Sequence, residues 1–212
     1  MAGWQSGHAA ACKAVYAGSI PASASINKPP LIKMKFIKKS DIFLVGEMIV
    51  LELFQDTDIT EEYIAWLNDP EVVKFSNQRF ISHNLESSKI FFDSFFNSPN
   101  YFLKISEKNS MTPIGTMTLY VNPNHCTADI GVLIGNTNYW NGGFGFDAWN
   151  TCMNWALKEL NIRKITAGTL SSNVGMQRIM EKSGMKLEGR KIKQEIVDGK
   201  EEDILFFAKF QS

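Results

Sequence analysis

The pattern of hydrophobic and polar residues divides the chain from residue 49 onward into short strand-like runs and longer helix-like stretches. Three strand-like runs follow one another in the middle of the chain, separated by turn residues, which is typical of an antiparallel meander. Strands and helices alternate in the C-terminal half. The predicted strands are 49–53, 101–106, 114–121, 126–134, 163–169, 185–190 and 204–210, and the predicted helices are 58–67, 84–96, 143–160 and 173–183.

These elements predict one mixed α/β domain of the α+β kind, in which a single sheet of about seven mostly antiparallel strands is flanked by helices. The chain has 212 residues, which suffices for one well-buried domain and is tight for two. We therefore assign residues 34–212 to a single domain.

The first 33 residues differ from the rest because they are rich in Ala, Ser and Gly, contain no acidic residue and show no sustained period. Lys13 interrupts the apolar run and Pro21 breaks the stretch after it, so a secretory signal is not indicated. We expect residues 1–33 to be a disordered or non-native extension. Codons can be chosen for this stretch that resemble a transfer-RNA gene, which leads to the hypothesis that Met34 is the natural start.

Composition narrows the function classes. Lys plus Arg equals Asp plus Glu at 22 each, which gives no general reason to expect a nucleic-acid partner. The three cysteines are odd in number and lack metal-ligand spacing, so a reducing, cytoplasmic setting and no metal are expected. No apolar run approaches the length of a membrane span, so no membrane partner is expected either.

A glycine-rich turn joins the run 126–134 to the helix that comes after it. The turn reads Trp140-Asn141-Gly142-Gly143-Phe144-Gly145. Glycines let a backbone approach an anion closely, and the N–H groups at a helix start then point at that anion with the helix dipole behind them. The turn therefore predicts a phosphate site, although a plain strand–turn–helix junction has similar local sequence.

Four stretches resemble the GNAT family of N-acetyltransferases, in motifs that occur in the family's order over roughly residues 49–210. Residues 139–148 are similar to the W-x-x-G-x-G acetyl-CoA motif, with Asn141 and Gly142 departing from it. Residues 66–72 and 128–131 resemble the W-L-N-D-P-E-V and A-E-I-G segments of the branch that includes bacterial ribosomal-protein N-acetyltransferases, and residues 173–185 resemble N-x-x-S-x-R-x-x-E-K-x-G-F. The resemblance implies the GNAT fold and an acetyl-CoA-dependent N-acetyltransferase.

The resemblance also implies where the cosubstrate lies. In the family the strand matching 126–134 splays from its neighbour at the centre of the sheet, and the pantetheine arm pairs with the backbone groups that are freed. Asn173 is implied to bond to that arm, whereas its local sequence equally predicts a helix N-cap. The implied acetyl-CoA contacts are Val132, Leu133, Ile134, Trp140, Asn141, Gly142, Gly143, Phe144, Gly145 and Asn173.

Direct acetyl transfer to an amine requires a base for the amine and a proton for the leaving thiolate. Asp129 stands where the family has a strand glutamate, and His83 can titrate near neutral pH, so both are predicted catalytic residues. The alternatives are a solvent-facing strand carboxylate and a solvated loop. Met176 replaces the family's serine and cannot donate a proton, so either water or another hydroxyl protonates the thiolate, or protonation is unassisted. Cys126 and Cys152 are predicted core residues.

The acceptor is predicted to be a small-molecule primary amine. The loop residues Asn77, Gln78 and Arg79 resemble members associated with amino-sugar acetylation in bacteria, and the arginine can hold a nucleotide-sugar diphosphate. Two alternatives stay open, namely N-terminal acetylation of a protein and a non-catalytic acetyl-CoA-binding module. The phenylalanine-rich helix (Phe91, Phe92, Phe95 and Phe96) has more apolar surface than one face buries, which indicates a homodimer contact.

Overall fold

Eight strands form one sheet in the computed structural model, which describes residues 33–35 and 37–211. The strand order is β1-β2-β3-β4-β5-β6-β8-β7. The described residues all belong to one compact unit that spans residues 32–212. The predicted extension 1–33 lies outside the described residues, apart from Lys33. The strands are β1 Phe43–Val45, β2 Ile49–Leu53, β3 Tyr101–Glu107, β4 Pro113–Asn122, β5 Thr127–Ile134, β6 Lys164–Leu170, β7 Lys186–Val197 and β8 Lys200–Phe210.

The sheet is mixed, since β5 and β6 run parallel and every other neighbouring pair is antiparallel. This confirms the predicted α+β architecture, with one strand more than the seven expected. The additional strand is β1, which has only three residues and is too short to show a period. The helices are α1 Glu61–Asn68, α2 Pro70–Val73, α3 Leu85–Asp93, α4 Phe144–Lys158 and α5 Val174–Lys182.

One face of the sheet packs against the long helix α4. The side chains of Ala148, Cys152, Met153 and Ala156 recur at helical spacing along α4, and all four are fully buried. They contact the inward-facing aliphatic residues of the central strands in a single core cluster. Burying each large apolar side chain contributes about 1.5–3 kcal/mol relative to exposure, so this face supplies much of the fold's stability.

The opposite face is aromatic and is covered by α1 and α3. Phe92 and Phe95 are buried there beside Phe102 of β3, whose ring lies 5.2 Å from the ring of Phe95. Phe91 packs on the same cluster, so three of the four phenylalanines that predicted a homodimer are used inside the domain. Phe96 is 61% exposed. The homodimer stays a prediction, on a smaller apolar surface than the sequence indicated.

The last two strands form a long hairpin at one edge of the sheet. The pattern predicted 185–190 and 204–210, whereas the paired strands extend to Val197 and back from Lys200. An irregularity between Lys191 and Glu195 separates the two halves of β7, and Lys193 has a φ of 51° there. The carboxylate of Asp203 accepts the N–H of Lys193 at 2.6 Å. This interruption of the strand period explains why the outer half was not predicted.

Candidate acetyl-CoA site

Strands β5 and β6 are paired for three residues and then part. The parallel register joins Thr127 to Lys164, Ala128 to Ile165 and Asp129 to Thr166, and it ends there. Beyond Asp129, strand β5 pairs only with β4 as far as Ile134, which lies opposite Gly115. A gap therefore opens in the middle of the sheet between β5 and β6, as a centrally splayed sheet requires.

Backbone groups of two β5 residues face this gap. The N–H of Gly135 donates to Ile114 of β4 at 2.9 Å, and backbone polar groups along a strand alternate in direction. Val132 and Ile134 therefore direct their N–H and C=O groups away from β4, toward the gap. The carbonyl of Leu133 points the other way, since a Cβ on Gly115 would lie 2.1 Å from it. The side chain of Leu133 packs on the aromatic cluster instead.

The start of α4 lies beside the end of β5. The position of a Cβ on Gly145 would be 3.4 Å from Ile134 and 3.6 Å from Ile179 of α5, so the two helices and the strand converge here. Gly143 precedes the helix with a φ of 91°, a conformation that favours glycine. Among the hydrogen bonds of the described residues, none uses a backbone N–H between 142 and 146.

Unpaired N–H groups at a helix start, together with the helix dipole, favour an anion, and these lie at the open end of the gap. Asp147, in the first turn of α4, does not occupy the site with its carboxylate. That carboxylate is buried and accepts the N–H groups of Glu47, Met48 and Ile49 at 3.2, 2.7 and 3.1 Å. The predicted turn 140–145 is thus an arrangement into which a pyrophosphate fits.

Asn173 caps α5, as its local sequence predicted. Its Oδ1 accepts the N–H of Met176 at 3.1 Å, which leaves its Nδ2 without a hydrogen bond among those formed by the described residues. Met176 and Ile179 pack against the α4-side core, and Ile179 lies beside Gly145 at the start of α4. The cap and the implied bond to pantetheine use different atoms of Asn173, so the two roles are compatible.

Asp129 lies at the point where β5 and β6 part. Thr166 of β6 donates from Oγ1 to its Oδ2 at 2.9 Å, and Tyr120 of β4 is directly opposite in the register. Burial raises the pKa of Tyr120, and the charge of Asp129 raises it further, against a hydrogen bond with Thr118 that lowers it. The phenol therefore keeps its proton at neutral pH and stands beside the predicted base.

The surface next to this cluster is open at Gly131. A Cβ at Gly131 would meet only the hydroxyl of Thr118, at 2.8 Å, within 4 Å. Tyr120 and Thr118 were not predicted as site residues, because their relation to Asp129 depends on the β4–β5 register. The signal available was the alternation of Thr116, Thr118 and Tyr120 with buried residues in β4, which places three hydroxyl groups on one face.

Two of the three predicted acceptor residues, Gln78 and Arg79, lie in the wall of a cavity of about 660 Å³. One wall comes from the segment between α1 and α3, and the other comes from the tip of the β7–β8 hairpin. The lining residues are Leu67, Asn68, Pro70, Glu71, Val73, Lys74, Gln78, Arg79, Phe80, Ile81, Ser82, Ile196 and Asp198.

Arg79 holds the two walls together. Its Nη1 donates to the carbonyl of Ser76 at 2.8 Å and its Nη2 to the carbonyl of Ile196 at 3.4 Å. Its guanidinium also lies 4.0 Å from the carboxylate of Glu195 and 4.3 Å from the ring of Phe80. Gln78 shares the cavity wall with Arg79, whereas Asn77 does not line the cavity.

His83 is half-buried at the end of this segment. Asn68 accepts its backbone N–H at 2.8 Å and donates to its carbonyl at 2.9 Å. Burial lowers the pKa of the imidazole, against a hydrogen bond with the backbone of Gln78 that raises it. The ring is therefore mainly neutral at physiological pH, and its Nε2 is buried without a partner among the described residues.

Cys126 and Cys152, the two cysteines that the structure describes, are part of the core. Burial raises the pKa of the Cys152 thiol to about 12, and Cys126 is buried as well. A thiol with such a pKa carries almost no thiolate at neutral pH, so Cys152 is a poor nucleophile. Among the described residues, no group of three or more His, Cys, Asp or Glu side chains is placed to hold a metal ion. The described part of the chain also contains no helix long and apolar enough to cross a membrane.

The sequence model of the acetyltransferase (GNAT) domain matches residues 49–186, and the chain belongs to this family. A curated relative is the uncharacterized N-acetyltransferase YnaD of Bacillus subtilis, which is 33% identical over 76 residues. That alignment covers 36% of this chain and 44% of YnaD, so the match spans less than half of the relative.

Solved structures of acetyltransferases share the fold. Spermidine N-acetyltransferase from Vibrio cholerae in complex with CoA and spermine has a TM-score of 0.70 at 15% identity, over 78% of this chain and 97% of that one. Ribosomal-protein-S5-alanine acetyltransferase from Vibrio fischeri has a TM-score of 0.62 at 18% identity, over 81% of this chain and 98% of that one. At these identities the likeness establishes the GNAT fold alone.

Proposed function

We propose that this protein is an acetyl-CoA-dependent N-acetyltransferase that transfers acetyl directly to a primary amine. The observation that carries the proposal is the gap between β5 and β6, which closes at Asp129 and opens onto the uncapped start of α4. An elongated ligand with a pyrophosphate at one end and a thioester at the other fits both ends of this gap.

The chain's own groups then have distinct tasks. The N–H groups of residues 142–146 bind the pyrophosphate, and the backbone of Val132 pairs with the pantetheine arm. Asp129 takes the proton of the amine as nitrogen attacks the thioester carbonyl and the C–S bond breaks. Tyr120 donates a proton toward the leaving sulfur, which supplies the acid that Met176 cannot provide.

For the acceptor we propose an amino sugar or a nucleotide-linked amino sugar. The cavity beside Arg79 supports this choice because it has two walls, polar lining groups and a volume of about 660 Å³, which accommodates a nucleotide sugar. A diphosphate would replace the carboxylate of Glu195 as the partner of Arg79. Protein N-terminal acetylation is the second candidate, and the contacts of Arg79 across the cavity do not favour the open groove that an extended peptide requires.

The first experiment measures the Tm of the full chain with acetyl-CoA, with CoA and with NAD. A ligand that binds only the native state at one hundred times its Kd stabilises that state by about 2.7 kcal/mol, so acetyl-CoA and CoA are expected to raise Tm by several degrees. NAD is expected to leave Tm unchanged. An unchanged Tm at saturating acetyl-CoA would refute the cosubstrate site.

The second experiment monitors release of free CoA thiol with three acceptor classes: UDP-linked amino sugars, peptides with free N-termini and polyamines. Release with the amino sugars alone supports the proposed acceptor. Release with peptides or polyamines alone transfers the assignment to that class. Coenzyme binding without release for any amine would identify a non-catalytic binding module.

A further inference from the structure

The indole of Trp140 is bonded to the end of β5. Its Nε1 donates to the carbonyl of Ile134 at 2.8 Å, although 39% of the residue is exposed to solvent. Trp140 belongs to the turn whose residues were predicted to contact the coenzyme. Its only polar side-chain atom is therefore already engaged with the protein itself.

The direction of the Ile134 carbonyl gives this bond its significance. Because the N–H of Gly135 donates to β4, a trans peptide places the Ile134 carbonyl on the opposite side, which is the gap. Strand β6 pairs with β5 no further than Asp129 and does not reach this carbonyl. Without Trp140 it would be an open acceptor on a strand edge, available for pairing in the wrong register.

The same bond determines the path of the loop. The backbone N–H of Trp140 donates to Thr137 at 3.1 Å, and the chain then turns through Asn141 and Gly143, whose φ angles are 60° and 91°. These two left-handed residues deliver the chain to α4. The side chain of Trp140 thus ties the turn that carries the unpaired N–H groups to the strand that borders the gap.

We propose that Trp140 is a positioning residue for the coenzyme rather than a direct contact. Its indole N–H occupies the Ile134 carbonyl as a hydrogen-bond acceptor. The same bond holds the turn 140–145 so that the backbone N–H groups of the turn face the gap. The N–H and C=O of Val132 and the N–H of Ile134 then stay available to bond to the pantetheine arm. This inference rests on the proposed acetyl-CoA site.

The test is the full chain carrying Trp140→Phe, which retains an aromatic ring and removes the N–H donor. Loss of one such bond is expected to weaken acetyl-CoA binding about tenfold in calorimetry, with kcat at saturating acetyl-CoA within about twofold of wild type. Hydrogen exchange of two hydrogen-bonded amides at this turn, those of Tyr139 and Trp140, is expected to be faster in the free variant. Tyr139→Phe is the control, because Tyr139 contacts Phe144 through its ring at 4.9 Å, and it is expected to match wild type.

Trp140→His tests the N–H donor apart from the rest of the indole, since imidazole also has a ring N–H. This variant is expected to recover part of the affinity for acetyl-CoA, even if the phenylalanine variant folds poorly. Equal affinity and equal exchange in Trp140→Phe and wild type would overturn the inference. Weaker binding with unchanged exchange in the free variant would also overturn it, because the ring would then contact the coenzyme directly. Failure of the wild-type protein to bind acetyl-CoA would refute the proposed function instead.

Discussion

Helices α4 and α5 both begin beside the gap in the sheet, and they begin differently. The start of α5 is capped by Asn173, whose side chain accepts the N–H of Met176. The start of α4 comes after Gly143, which has no side chain to cap it, and its first N–H groups are unpaired among the described residues. Helices α1, α2 and α3 are capped by Thr60, Asp69 and Asn84.

The difference supports the proposal that α4, and not α5, binds the pyrophosphate. An N-cap removes one donor and reduces the attraction of the helix start for a ligand, whereas an uncapped start retains both. The single acidic residue in the first turn of α4, Asp147, directs its carboxylate to the β1–β2 turn. Helix α4 is thus the open member of the pair, and α5 is the closed one. Substitutions at Asp147, Asp129, Gly143 and Asn173 probe this contrast.

The largest expected effect is on stability, in Asp147→Ala. The change leaves three buried or half-buried N–H groups without their charged acceptor, so the free energy of unfolding is expected to fall by about 3 kcal/mol. Urea denaturation measures it. Glu62→Ala, an exposed first-turn acid of α1, serves as the control and is expected to change stability by less than about 0.5 kcal/mol. Equal effects in the two variants would contradict the structural role of Asp147.

Asp129→Asn tests whether proton transfer by Asp129 is independent of coenzyme binding at the helix starts. Loss of the base is expected to lower kcat about a hundredfold, with the KM for acetyl-CoA unchanged. The measurement is steady-state thiol release with the acceptor amine found by screening, and Asp129→Glu retains the carboxylate as a control. A variant with altered KM and normal kcat would place Asp129 in binding rather than in proton transfer.

Gly143→Ala perturbs the open helix start of α4. A methyl group at a φ of 91° is strained and lies 3.1 Å from Met48 Cε, so the turn is expected to shift at a cost of about 1–2 kcal/mol. Acetyl-CoA affinity is expected to fall about tenfold while kcat at saturation is retained. Gly199→Ala, at a φ of 75° in the β7–β8 turn, controls for backbone strain away from the site and is expected to bind normally.

Asn173 probes the closed helix start of α5, with the smallest effect. Asn173→Ala is expected to lower stability by about 1 kcal/mol through loss of the cap, and Asn173→Asp is expected to restore it because Oδ1 is retained. If Nδ2 bonds to pantetheine, acetyl-CoA binding weakens severalfold in both variants. Normal affinity in Asn173→Asp would leave Asn173 as a cap alone.

Much of the fold could be predicted from the local pattern of apolar and polar residues. Where the structure differs from the prediction, the difference has a physical cause. The meander and helix α4 were predicted because their apolar periods are long, and α5 was predicted because Asn173 gives it an explicit cap. The outer half of β7 was not predicted, because the irregularity at Lys193 interrupts the alternation that marks a strand. Fewer phenylalanines are exposed than the sequence indicated, because the phenylalanine-rich segment packs on Phe102 of β3. That partner cannot be recognised from the sequence of the helix alone.

The candidate site was predicted less completely than the fold. The glycine-rich turn could be located because an anion site at a helix start is a local arrangement. The pairing of Tyr120 opposite Asp129 depends on the β4–β5 register. The hydrogen bond from Trp140 to Ile134 depends on the path of the chain after β5. These are tertiary relations that the sequence of one chain does not display. The acceptor residues stay predictions, since Arg79 was expected to face a substrate and its hydrogen bonds join two walls of the protein.

The two walls of the cavity differ in whether their residues fall inside the family match. The family match ends at residue 186, whereas Ile196 and Asp198 of the hairpin tip lie beyond it. One side of the proposed acceptor cavity is therefore built from the tip of the β7–β8 hairpin, outside the residues that the family model matches. Lengthening, shortening or exchanging the tip of this hairpin is expected to remodel the cavity, whereas the half of β8 that pairs with β6 carries core residues such as Phe207 and must be retained. The hairpin tip is therefore the practical place to begin engineering the amine specificity that we propose for this cavity.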